Sequence, residues 1–226
     1  MRLAGFLCII LISLTVIAQQ PDYNQRQHVD GVQFDQKERT CSYNTYEWNT
    51  LTKKSVNHRR ITKPYESLGK EEIDPQTGCT VCEEDQVEMK LSNGFSFKVC
   101  RYLAPEIEQI LSEAENSGFP LRVTVGYRVG KTRGKIDTRG NRTVFSNHSY
   151  GSAIDINPDA NGLYDQCISF AQSCRLIKGG HWSPDNPASI KSDSQLVNAF
   201  RAKGFRWGGE IQGWQKDFMH FSPTGY

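Results

Sequence analysis

The sequence predicts an α+β fold, a small antiparallel sheet with flanking helices carried behind a cysteine-bounded N-terminal extension. Three observations lead there. Apolar residues alternate on both sides of Asn93-Gly94; residues 104–117 and 194–203 repeat apolar side chains at helical spacing; and the remaining apolar runs are short and rich in β-branched or aromatic residues.

The chain opens with Arg2, an apolar run over residues 3–17 and a small residue at Ala18. That is the pattern of a secretory signal peptide over residues 1–18, and its apolar run falls short of the roughly 20 residues a spanning helix needs. Residues 19–40 are rich in Gln, Asp, Lys and Arg without apolar periodicity, so a flexible leader is expected. Residues 41–100 form the cysteine-bounded segment, polar and turn-rich. It ends in a hairpin, with Val87, Met89 and Leu91 before Asn93-Gly94 and Phe95, Phe97 and Val99 after it.

Residues 101–226 make the second domain. Pro105 suits a first helical turn, Ile107, Ile110, Leu111 and Ala114 form a stripe, and Gly118 closes the helix. Residues 121–127 alternate and are β-branched, a strand. Residues 130–141 are basic and glycine-rich and are expected to be a mobile loop. Residues 153–156, 205–207 and 218–221 are short strands, and residues 194–203 a helix stopped at Gly204.

Composition excludes more than it assigns. The 226 residues carry a formal net charge of +2, which becomes +1 when Arg2 leaves with the signal peptide. Neither a nucleic-acid-binding basic field nor an acidic disordered chain fits that balance. After cleavage no membrane attachment is expected, and the chain is expected to be a secreted monomer. Apart from Cys8 the cysteines are Cys41, Cys79, Cys82, Cys100, Cys167 and Cys174, an even set in a chain sent to an oxidising compartment. Cys167 and Cys174 stand close together and are expected to pair. Cys79-x-x-Cys82 lacks the second CxxC of a zinc ribbon, so these two share structural disulfides with Cys41 and Cys100 in a connectivity the sequence leaves open.

Chemistry gathers in Ser146-x-His148-x-x-Gly151-x-Ala153-x-Asp155 and, far downstream, Asp217-x-x-His220. Two imidazoles and a carboxylate are a typical catalytic zinc set with a fourth position left for water. On one helix His148 and Asp155 would lie about 10.5 Å apart along the axis, too far to share an ion, so a turn at Gly151 must bring them together. The strand after it would place Ala153, Asp155 and Asn157 on one face and Ile154 and Ile156 on the other. Asp217 and His220, three apart, would point to opposite faces of a regular strand. A bend between Asp217 and Met219 is therefore expected, with Phe218 or Phe221 packed inward.

This pattern, S-x-H-x-x-G-x-A-x-D with a late D-x-x-H-F, resembles the zinc D-Ala-D-Ala carboxypeptidase and L-alanyl-D-glutamate endopeptidase family, VanX- and VanY-like, whose fold is shared by Hedgehog signalling domains. The likeness covers roughly residues 100–222. It implies one zinc ion held by His148, Asp155 and His220, a general base at Asp217, and a substrate-polarising arginine at Arg128 in Gly126-Tyr127-Arg128. Trp207-Gly208-Gly209 resembles a tryptophan-glycine-glycine segment of the endopeptidase branch, here followed by a longer spacer to Trp214; both tryptophans are expected to bind substrate, and Ser146 is placed to meet a substrate carboxylate or to make a local turn. Peptidoglycan peptides are the implied substrates, cut by a carboxypeptidase or an endopeptidase. Two rivals stand beside this reading: a Hedgehog-like zinc-containing binding domain without turnover, and a disulfide-rich adhesion module.

Overall fold

Thr40–Asn49 (β1) and Lys54–Pro64 (β2) pair as a long antiparallel hairpin with an irregularity between Thr45 and Glu47. The structure, a computed structural model, describes residues 39–225. The expected signal peptide and nearly all of the expected leader lie outside the described residues. Cys41 and Tyr43 of β1 turn into the interior.

The segment that follows is pinned by two disulfides, Cys41–Cys82 and Cys79–Cys100. Each is worth about 2–4 kcal/mol through the unfolded chain it restrains. Gln86–Lys90 (β3) and Ser96–Cys100 (β4) then form the hairpin expected around Asn93-Gly94, with Val87 opposite Val99 and Met89 opposite Phe97. Helix α1, Ala104–Asn116, buries Ile107, Ile110, Leu111 and Ala114, the stripe the sequence marks. It ends where Gly118 takes a φ of 84°, a conformation glycine adopts without steric cost.

Residues 121–127 yield a strand only over Thr124–Val125 (β5). The expected mobile loop over residues 130–141 is corrected. Lys131–Ile136 (β6) and Arg142–Phe145 (β7) form an antiparallel hairpin, and β6 lies parallel to β1 through Glu47 and Lys131. Asp137 makes the turn by accepting the backbone N–H groups of Arg139 and Asn141, each at 2.8 Å. Glycine and lysine hide this strand pair from a composition-based view; Gly134, at a φ of 78°, sits where the register shifts.

Ile154–Ile156 (β8), Leu163–Asp165 (β9), Arg175–Lys178 (β10), helix α2 (Gln195–Ala202), Arg206–Trp207 (β11), Lys216–Asp217 (β12) and His220–Ser222 (β13) complete the fold. One antiparallel sheet has the order β11-β13-β8-β5 and another β10-β9-β12. The result is α+β. A third disulfide joins Cys167 to Cys174, the pair expected from spacing. Ala153 lies before β8, and Asn157 after it takes a φ of 45° and turns its side chain to Arg122 N and Pro120 O, so the alternation expected through both residues stops at Ile156. One apolar cluster runs from Cys41 and Tyr43 through α1 to Phe221, so residues 41–100 pack in the same core as the rest.

Three disulfides fit an oxidising extracellular or periplasmic setting. Among the described residues no helix is long and apolar enough to cross a membrane.

Candidate metal centre

His148 stands on a single 3₁₀ turn, Asn147–Tyr150, closed by Gly151 at φ 66° and ψ 16°. A side chain there would meet Gln86 Oε1 at 2.0 Å and Cys100 N at 2.6 Å, so this close approach needs glycine. Cys100 N donates to Gly151 O at 3.0 Å, which fastens the disulfide-bearing segment to the turn that carries His148.

The chain runs straight from that turn into β8, the interior strand between β13 and β5. Asp155 is paired with His220 on one side and Val125 on the other. Ile154 and Ile156, fully buried, hold the strand in the core.

Asp217 and His220 belong to different sheets: Asp217 ends β12 against Leu163 of β9, and His220 begins β13 against Asp155 of β8. The expected bend is therefore a switch between sheets. It is held at three points. Phe218 N donates to Gly162 O at 3.1 Å, Trp207 Nε1 donates to Phe218 O at 2.8 Å, and Ile156 N donates to Met219 O at 2.8 Å. Phe218 and Phe221 are both buried, as expected.

These elements bring His148, Asp155 and His220 together, all three buried, with one ligand atom from each lying within 4.8 Å of the others. Asp155 Oδ1 is 3.0 Å from His148 Nε2 and 2.9 Å from His220 Nδ1. Arg128 reaches the same carboxylate, Nη2 to Oδ2 at 3.6 Å, and its backbone N–H donates to His148 O at 3.0 Å.

Proton counting tests whether a cation belongs here. Burial drives the His148 pKa down against the pull of Asp155, favouring a neutral ring. A neutral imidazole has one N–H, yet both neighbours of His148 are acceptors: Gly126 O, 2.8 Å from Nδ1, and Asp155 Oδ1. A proton on Nδ1 serves Gly126 and leaves the Nε2 lone pair facing the carboxylate. A metal ion satisfies both, and the Gly126 carbonyl fixes the tautomer in the way outer partners of ligating histidines do. Burial raises the Asp155 pKa, but the two imidazoles overcome it and hold the group well below the usual carboxylate range. The donor set fits zinc. A second grouping, Cys41, Cys82 and Glu84, does not fit, because its two sulfurs are joined in a disulfide.

Asp217 is close by. Gly208 lies against both it and His220, and the charges of Asp155, His220 and Arg128 all act on its carboxyl. Burial, reinforced by Asp155, pushes its pKa up to about 7. Its Oδ1 is closed off from solvent with no hydrogen-bond partner among the described residues.

The other sequence candidates are more scattered. Ser146, buried, precedes the His148 turn and its carbonyl accepts Ser149 N at 2.8 Å. The expectation that Trp207 binds substrate is corrected: it is buried, and its indole N–H is committed to Phe218 O. Trp214 is 69% exposed, on the wall of a surface depression that contains none of the three convergent residues.

Two contributors escaped the sequence reading. One is the Gly126 carbonyl, which is invisible because every residue has one. The other is Gly208, where an added Cβ would come within 2.4 Å of Asp217 O and 3.1 Å of His220 Cβ; the Trp-Gly-Gly string was its signal.

No curated protein and no solved structure matches the chain. Residues 139–223, which contain His148, Asp155, Asp217 and His220, are similar to the family model described as D-alanyl-D-alanine carboxypeptidase, and this likeness supports a metallopeptidase.

Proposed function

We propose that this chain is a secreted zinc peptidase that hydrolyses stem peptides of peptidoglycan, with His148, Asp155 and His220 holding one ion. The convergence of two buried imidazoles on one carboxylate oxygen carries the reading, and the carboxypeptidase-like stretch supports it. When bound, zinc supplies Lewis acidity and brings a water to a pKa near ~7.

The remaining steps belong to the chain. Asp217 takes the proton of the attacking water at its buried Oδ1 and delivers it to the leaving amine. A carboxyl pushed up to about 7 exchanges protons readily near neutrality. Arg128, beside Asp155, stabilises the scissile oxygen as it becomes negative. Trp207 positions the Asp217–His220 bend through its bond to Phe218 O. Ser146 orients the His148 turn and faces a substrate carboxylate, and Trp214 contacts substrate beyond the centre.

The test is product analysis by mass spectrometry. Purified protein and an Asp217→Ala control are incubated with zinc and defined stem peptides. Release of D-Ala identifies a carboxypeptidase, and separation of L-Ala from D-Glu an endopeptidase; either product must vanish in the control while zinc stays bound. Intact peptides with wild-type protein would overturn the reading in favour of a zinc-containing binding domain.

A further inference from the structure

We infer that the depression beside Trp214 is a binding subsite for the glycan strand of peptidoglycan, a polymer of N-acetylated amino sugars. Its link to the reaction rests on the peptidase reading, whereas the binding itself requires no turnover. The depression has a volume of about 480 Å³. It is lined by Trp214, Gln166, Gln212, Gln215, Asp165 and Arg142, with Ile211 the one aliphatic residue.

The exposed tryptophan is held in place. Lys216 is buried, and its ammonium donates to the carbonyls of Ile211, Gly213 and Gln215, drawing the loop that carries Trp214 around it. Cys167 N donates to Trp214 O at 3.0 Å, so the loop is also fastened to the Cys167–Cys174 segment. Asp165 is fixed by a two-pronged pair with Arg175, with Nε at 2.8 Å. Arg142 donates to Gly134 O at 2.6 Å, and its Nε, closed off from solvent, has no hydrogen-bond partner among the described residues. A large indole face displayed on a fastened loop binds without paying again for ordering.

The chemistry selects the ligand class. An indole face is electron-rich and suits the weakly positive C–H face of a pyranose ring. Amides offer donor and acceptor side by side, the complement of neighbouring hydroxyl and acetamido groups, and a carboxylate accepts from hydroxyls. A lipid would find too many polar groups here. A neutral, hydroxyl-rich polymer with acetamido groups meets a partner at each wall.

Position completes the inference. Asp165 ends β9, whose Leu163 pairs with Asp217, and Gln215 stands two residues before Asp217. At about 3.3 Å per residue the subsite begins some 7 Å from the proposed base, near enough for a stem peptide leaving the strand to reach it.

Isothermal titration with short strands of N-acetylglucosamine, which are neutral and carry no lactyl carboxylate, tests this on the whole protein, with dextran, which lacks acetamido groups, as comparison. The strands are expected to bind wild type and the Asp217→Ala variant alike, Trp214→Ala at least about tenfold more weakly, consistent with loss of an aromatic anchor, and Gln215→Ala more weakly than wild type. Absence of binding to wild type, or equal binding by Trp214→Ala and wild type, overturns the subsite, and dextran binding as tightly as the strands overturns the acetamido-sugar assignment. Glycan binding without peptide hydrolysis would sink the peptidase reading alone.

Discussion

Asp155 and His220 sit directly opposite one another across the β8–β13 pair, with Asp155 Oδ1 2.9 Å from His220 Nδ1. The same oxygen is 3.0 Å from His148 Nε2, so sheet register and the Gly151 turn deliver all three donors without any one long loop being ordered for the purpose. Such a site should be rigid and should take up its ion with little rearrangement.

Metal binding is the first expectation. Wild-type protein should hold one equivalent of zinc, and Asp155→Asn should lower its affinity by about two orders of magnitude or more, since even outer partners of a metal site are worth 10- to 100-fold. Zinc at about 1,000 times its dissociation constant should add about 4 kcal/mol to the stability of wild type and little to that of the variant. Metal analysis after dialysis and thermal melts with and without zinc would decide it. A variant that keeps wild-type affinity would remove Asp155 from the ligand set.

Gly208 carries the second. A methyl group at this position would press on the Asp217 carbonyl at 2.4 Å and on the Cβ atoms of Asp217 and His220 at 3.0 and 3.1 Å, and its closest contact is backbone that yields poorly. Gly208→Ala should cost about 1–3 kcal/mol in stability and, by misplacing Asp217 by a fraction of an ångström to an ångström, lower kcat by about 10- to 100-fold. Urea melts and steady-state kinetics read both effects. Unchanged kcat would show that the Asp217–His220 bend tolerates displacement.

The sequence made the three convergent side chains legible because their spacing requires a turn at Gly151, which only a glycine can make against Gln86 and Cys100. The bend after Asp217 followed from the same periodicity argument. Both helices and the Asn93-Gly94 hairpin were legible, since each carries an unbroken stripe or alternation. The β1–β2 hairpin was not: its register shifts between Thr45 and Glu47, Asn57 adopts a φ of 55°, and most of β2 faces solvent, so polarity masks the pairing. The β6–β7 hairpin hid behind glycine and charge for the same reason. Backbone groups such as Gly126 O have no sequence signature at all.

Glu72 gives a pH dependence remote from the metal centre. It is buried, accepts from Tyr43 Oη and Lys63 Nζ, and accepts from Gly69 N at 2.6 Å. Burial raises its pKa, but Lys63, Tyr43 and the Gly69 N–H together outweigh that and hold it below the usual carboxylate value. A depressed carboxyl binds fewer protons folded than unfolded, so its stabilisation is present above the unfolded pKa of about 4.3 and is lost as pH falls through the lower folded value. Glu72→Gln should therefore be less stable than wild type at neutral pH by about 1–3 kcal/mol, with the gap closing as pH falls below about 4. Chemical denaturation at stepped pH measures the gap; a difference that stays constant or widens in acid would contradict the assignment.

The Cys167–Cys174 disulfide bears on Asp217 at one remove. It closes a short loop whose Phe170 packs on Tyr164, Trp182 and Phe218, with ring centroids at 5.1, 5.1 and 4.9 Å. Phe218 is the residue between Asp217 and Met219, and its ring is also stacked on Trp182 and touched edge-on by Trp207. Each such pair is worth about 0.5–1.5 kcal/mol beyond burial, so the loop braces the bend. Cys167→Ser with Cys174→Ser should cost about 2–3 kcal/mol, the loop-closure value for so short a ring. It should also lower kcat, because the proposed base is displaced through Phe218, and raise KM, because the Trp214 loop is fastened to the same segment. Phe170→Ala, with the disulfide intact, should reproduce the kcat loss with a smaller stability cost. If both variants keep wild-type kcat while zinc remains bound, the loop is a staple for the fold and has no part in placing Asp217.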